Sequence, residues 1–216
     1  AITGHLTFVF NLLSPEECDE TFFDIMVDLL DDEESEVKNF AIEGFFENID
    51  KFSPRKVEES CIEIIIDLLR NDSNKEFIND CIEISIQKSE VLRKHFASQE
   101  YLDQENTDLT LRILYNSHLL LKTVGIDYFM ENITSQYQKL LDHEDEFVRE
   151  NLASKFHELV KEFGTLNAYK HDIHTLTLKI MTDKSAKVQG QLSIYLDQIA
   201  QTLLPENFQI PNDDHD

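Results

Sequence analysis

The sequence predicts an all-α protein: a right-handed α-solenoid of about five helical hairpins with an N-terminal part-repeat. Three observations predict it. Five Gly and four Pro in 216 residues are too few for the tight turns of sandwiches, dinucleotide-binding loops or doubly wound sheets. Apolar residues recur three to four positions apart over most of the chain, the spacing of one helix face. The chain also repeats itself, and a helical hairpin too short to bury its own apolar stripe must stack on its neighbours.

Leu6, Phe8, Val9, Phe10, Leu12 and Leu13 predict a helix over 3–13, the second half of a unit whose first half is missing. Because the chain begins with Ala1 rather than Met, it reads as a fragment of a longer protein with stacking faces exposed at both ends. Ser14 and Pro15 predict an N-cap and first helical residue, where the missing N–H of proline costs nothing. The helix over 15–30 follows. Ser53 and Pro54 repeat the signal, and residues 14–30 align with 53–69 at an offset of 39 with seven of seventeen positions identical. Leu29–Lys38 matches Leu140–Arg149 at an offset of 111, and beyond it Phe45, Ile49 and Phe52 fall over Phe156, Val160 and Phe163 as one buried stripe. The helices expected are 3–13, 15–30, 35–51, 54–70, 75–87, 90–101, 107–123, 126–141, 146–163, 166–182 and 185–203. They pair into units of about 14–51, 53–88, 89–123, 125–163 and 165–203, followed by an acidic tail over 204–216. Gly125 and Gly164 sit where left-handed C-caps belong.

Forty-three Asp and Glu against nineteen Lys and Arg give a net charge of −24, a field that repels phosphate and argues against nucleic acid. The acidity is graded. Residues 1–60 carry sixteen acids and four bases, or −12, whereas 131–200 sum to −3. Cys18, Cys61 and Cys81 include no close pair, so buried free thiols in a reducing compartment are expected, cytoplasmic and also nuclear. No apolar run approaches the roughly eighteen residues of a membrane span.

The sequence carries no complete catalytic, cofactor or metal motif. Gly at 4, 44, 125, 164 and 190 permits neither a G-x-G-x-x-G turn nor a P-loop. His157-Glu158 lacks the second His of a zinc motif, since Lys161 stands there. His171 and His174 share a helix face with only Asp172 nearby, too few ligands for a metal. Asp31–Ser35 alternates oxygen ligands like a calcium loop, but Glu36 and Ile42 replace the required Gly and Glu, and the turn from Asp142 fails likewise at Phe147 and Ala153. No cofactor is expected. Acids at a helix start favour its positive end, yet Asp31, Asp32, Glu33, Glu34 and Glu36 together exceed that need and repel one another. Phe77, Tyr101 and Phe147, beside turns, are expected in the core.

A period of 36–40 residues in helix pairs resembles the HEAT and armadillo group. The residues that carry the likeness are an acid after the anchor Leu with Lys or Arg seven places on: Asp31 with Lys38, Glu105 with Arg112, and Asp142 with Arg149. In HEAT proteins such residues form a ladder between units. Arg70 with Phe77 and Thr182 with Gln189 depart from the pattern, so the ladder is expected to be interrupted in the second and fifth units. The run Val148–Gly164 and then Asp183-Lys184 to Val188 resembles the scaffold subunit of type 2A serine/threonine phosphatases and the related regulatory subunit 1 of phosphatase 4. The likeness covers 140–203, extends over 14–69 by repeat pattern, and is weak over 70–125. It implies a ridge of intra-unit turns, Asp31–Glu36, Asn71–Lys75, Glu105–Asp108, Asp142–Glu146 and Thr182–Lys184, on which catalytic or regulatory phosphatase subunits dock. The docking residues so nominated are Asp31, Asp32, Glu33, Glu34, Glu36, Asp72, Asn74, Asp142, His143, Glu144, Asp145, Asp183 and Lys184. The alternative is an importin-like or chaperone solenoid that holds basic protein cargo. A HEAT-like base-excision enzyme would need a basic groove, which the chain lacks.

Overall fold

Each Ser-Pro pair opens a helix, and the two helices share an irregularity that the sequence does not announce. In the computed structural model, which describes residues 8–71, 75–102, 107–171 and 173–203, α1 (Pro15–Glu17) passes through a π turn at Cys18–Phe22 into α2 (Phe23–Leu30). After α3 (Ser35–Glu47), α4 (Pro54–Lys56) passes through a π turn at Val57–Cys61 into α5 (Ile62–Asn71). The two π turns lie at the offset of 39 found in the sequence, and each buries its first and last residue. Ser14 closes a capping box with Glu17, its N–H donating to Glu17 Oε2 at 2.8 Å. At the second pair Lys56 replaces that Glu, and the Ser53 N–H donates instead to Asp19 Oδ1 of the preceding repeat at 2.9 Å.

The described chain falls into two compact units, one ending at Leu119 and one beginning at Leu120. In the first, α6 (Lys75–Lys88), α7 (Glu90–Phe96), α8 (Gln99–Leu102) and α9 (Thr107–Tyr115) follow α5. α2 packs on α3, and the second helices of successive hairpins pack in series, α3 on α6 and α6 on α9. Phe52 sits among Phe10, Phe23 and Phe45 at ring separations of 5.5–6.0 Å, edge-on to Phe10 and Phe23 and tilted to Phe45, each such pair contributing roughly 0.5–1.5 kcal/mol beyond area burial.

The division falls within α10 (Ser117–Val124). The second unit then contains α11 (Ile126–Asn132), α12 (Thr134–Leu141), α13 (Glu146–Lys170), α14 (Ile173–Met181), α15 (Ala186–Ser193) and α16 (Leu196–Leu203). α13 is two helices joined at Gly164, and it packs against α12, α14, α15 and α16. Phe156, Val160 and Phe163 are buried, as are their counterparts Phe45, Ile49 and Phe52.

Several expected helices are divided. The helix over 107–123 breaks at Asn116, whose side-chain amide donates to the Arg112 carbonyl, and the one over 126–141 breaks at Ile133, beside which the Thr134 hydroxyl takes the Phe129 carbonyl at 3.2 Å. Both side chains compete for helical backbone groups. The helix over 166–182 stops at His171. The last one breaks at Ile194–Tyr195, after Gly190 and a Ser193 hydroxyl that donates to the Gly190 carbonyl. Residues 8–10 are helical within the segment expected over 3–13. Gly125 and Gly164 have positive φ, 82° and 68°, but an extended ψ of 164°, so they occupy a region open almost only to glycine rather than the left-handed helical cap expected. Among the described residues there is no strand, and no helix is long and apolar enough to cross a membrane.

Candidate protein-binding ridge

The hairpin segments around the turn before α13 and the turn before α15 are joined by four side-chain pairs. Arg149, 3% exposed, sends Nε to Asp183 Oδ2 at 2.8 Å and Nη2 to Oδ1 at 3.1 Å, and its Nη1 donates to the carbonyls of His143 at 2.6 Å and Glu144 at 3.0 Å. The flat fork of a guanidinium suits both oxygens of one carboxylate. The hydrogen bonds from Arg149 hold the Asp183 carboxyl below the ordinary carboxylate range, and Asp183 in turn pushes the Arg149 value upward. Lys179 reaches Asp142 at 2.6 Å, Lys187 reaches Glu146 at 2.8 Å, and Gln191 donates to Glu150 at 3.0 Å.

The place of the rung differs from that expected. Arg149 bonds Asp183 of the next turn, a contact between neighbouring units as a ladder requires, but it stands in the fifth unit, where an interruption was expected. The acid lies one place after the position the motif marks. Asp183 Oδ1 also accepts the Ser185 N–H at 2.8 Å. The same local bond recurs at the equivalent places, where Asp32 Oδ1 accepts the Glu34 N–H at 2.8 Å and His143 Nδ1 accepts the Asp145 N–H at 3.1 Å. Asp32, His143 and Asp183 therefore shape turns.

Arg112 ties α9 backward to α6, with Nη2 2.9 Å from Asp80, Nη1 3.2 Å from Glu83 and Nε 3.7 Å from Asp108, while Asn79 donates to Asp108 at 2.5 Å. Its expected partner Glu105 lies outside the described residues, as do the nominated Asp72 and Asn74. Sequence reasoning missed Asp80 and Glu83, although both lie on the face of α6 that α9 covers. Lys38, the counterpart of Arg149, lines a surface cleft with Asp31.

Glu33, Glu34, Glu36, Glu144, Asp145 and Lys184 are exposed, and so is Phe147 at 60%. Phe147 is thus not a core residue as expected, whereas Tyr101 is buried. The reason is register: Phe147 occupies the position of the exposed Glu36, and Val148 beside it takes the inward place. Among the described residues no three His, Cys, Asp or Glu converge to hold a metal. All three cysteines are buried and unpaired, and burial pushes the thiols of Cys61 and Cys81 up to about 12. No family model and no curated protein matches the chain.

Proposed function

We propose that the chain is a non-catalytic protein-binding module built from HEAT-type hairpins in a right-handed stack. It serves as a scaffold or regulatory subunit of a type 2A/4-like serine/threonine phosphatase in the cytoplasm or nucleus. The observation that carries the protein-binding reading is the division of labour on the turns. Asp142, His143, Asp145 and Asp183 are occupied in joining and shaping the hairpins, while the side chains of Glu144 and Phe147 beside them face solvent. An exposed aromatic beside acids is the composition of an interface anchor with a polar rim. The phosphatase class draws its support from the likeness over 148–188 and from the Arg149–Asp183 rung, which has the inter-unit character of HEAT ladders.

The test is co-purification of phosphatase catalytic and regulatory subunits with the full chain and with Phe147→Ser/Glu144→Lys, substitutions that leave every rung intact. Loss of the subunit with helical content unchanged supports the ridge. Retention of the subunit moves docking elsewhere, and failure of the unmodified chain to hold any phosphatase subunit rejects that class.

A further inference from the structure

The exposed side of the first compact unit carries a feature that the ridge does not include. Glu20, Asp24 and Asp28 stand four residues apart along one face of the helix containing α2, and Glu59, Glu63 and Asp67 stand likewise along that containing α5. All six are exposed, and each residue of the second triad lies 39 places after its counterpart. Like charges at this spacing repel within a helix, a cost that Arg55 offsets only at Glu59, its partner four residues on. Between the helices lies an open cleft of about 280 Å³, lined by Val27, Leu30, Asp31 and Lys38 on one side and Ile64, Asp67 and Leu68 on the other. Its walls are four aliphatic side chains, and Asp31 and Asp67 stand at its edges. The volume lies just below the roughly 300–1,000 Å³ of small-molecule pockets, which suits one or two aliphatic side chains from a partner better than a cofactor.

We infer that this cleft is a docking groove for a basic amphipathic peptide segment, with an aliphatic anchor entering between Val27 and Ile64 and Lys or Arg residues on either side facing the two acid triads. Charge complementarity selects this occupant. The surrounding residues 1–60 carry a net −12, and Lys38 is the one base lining the cleft. Glu59 is already paired with Arg55 at 2.9 Å, and an acidic or neutral segment would bring no counter-charge to the other acids of the two triads. The inference rests on the protein-binding reading but is independent of the phosphatase class.

The test is fluorescence anisotropy of the full chain with a short fluorescein-labelled peptide of Lys and Arg around a central Leu-Leu pair, set against the same peptide with Ser-Ser. The Leu peptide is expected to bind at least about tenfold more tightly than the Ser peptide, from burial of the aliphatic anchor. Asp28→Lys/Asp67→Lys is expected to weaken the Leu peptide about tenfold at low salt, with the difference shrinking as salt rises. Val27→Ser, which removes apolar wall without changing charge, is expected to abolish the preference for Leu and serves where the double variant loses helical content. Equal binding of the two peptides, binding indifferent to the substitutions, or no binding would overturn the groove. Retention of one phosphatase subunit by both the unmodified chain and the double variant, without peptide binding, leaves the protein-binding reading standing and removes only the cleft. If neither retains a protein partner, the parent reading falls as well.

Discussion

Replacing Arg149 with Met should weaken the second compact unit by about 3 kcal/mol, the low end of the roughly 3–5 kcal/mol lost when one member of a buried ion pair is removed. The low end applies because Asp183 is 11% exposed at its side chain and keeps the Ser185 N–H, so water and one backbone donor compensate part of its charge. The carbonyls of His143 and Glu144 lose their shared donor. Removing both charges, as Arg149→Met/Asp183→Leu, leaves no stranded carboxylate. It should cost far less than the sum of the single changes, with a coupling of about 2–3 kcal/mol. With no Trp in the chain, far-UV circular dichroism during thermal unfolding is the suitable assay, and a unit of this size should lose more than about 10 °C in its midpoint. Hydrogen exchange in α13 and α15 then locates the loss. A shift under about 3 °C for the single variant, or strict additivity in the cycle, would show that the pair is screened by solvent and holds nothing together.

Acid should act through the same pair. The folded pKa of Asp183 is depressed by Arg149, so its contribution is fully present above the ordinary carboxylate value of about 4 and is lost as pH falls through that range toward the lower folded value. Unfolding midpoints of Asp183→Asn should accordingly vary less with pH in this window than those of the unmodified chain. Gly164 and Gly190 of the second unit should respond with opposite signs. Gly164→Ala forces a side chain into φ 68° with ψ 164° although no atom lies within 4 Å of the new methyl, for a purely backbone cost of about 1–3 kcal/mol. Gly190→Ala, within α15 and equally unobstructed, should stabilise by roughly 0.5–1 kcal/mol. The three cysteines should resist iodoacetamide in the native state and react fully in denaturant, since burial raises every thiol; rapid native labelling of Cys61 or Cys81 would contradict the packing of α5 and α6.

The all-helical class was legible because Ser14-Pro15, Ser53-Pro54 and the 3.6-residue apolar stripes are local signals, and Phe45, Ile49, Phe52 and their three counterparts are buried as the stripes require. The breaks at Asn116 and Ile133 were not legible, because each depends on which backbone carbonyl a side chain takes. The arginines at 112 and 149 were found by spacing, but spacing along one chain segment cannot say which neighbouring hairpin a long side chain will reach. Arg149 goes forward to Asp183 and Arg112 backward to Asp80 and Glu83. Phe147 was misplaced for a related reason. Next to a turn, one step of register separates an inward Val148 from an outward Phe147, and hydrophobicity alone does not resolve that step.

The paired π turns have a historical meaning. Ten of seventeen aligned side chains differ between residues 14–30 and 53–69, yet both segments widen at the same place. A π turn holds one residue more than the α-helical path it interrupts, so it behaves as an insertion that both copies carry. The simplest descent is an ancestor that acquired the extra residue before the segment was duplicated. By this reasoning the irregular backbone, like the acid triads that both copies carry, is older than the cysteines and the Glu17-to-Lys56 cap difference that now distinguish them.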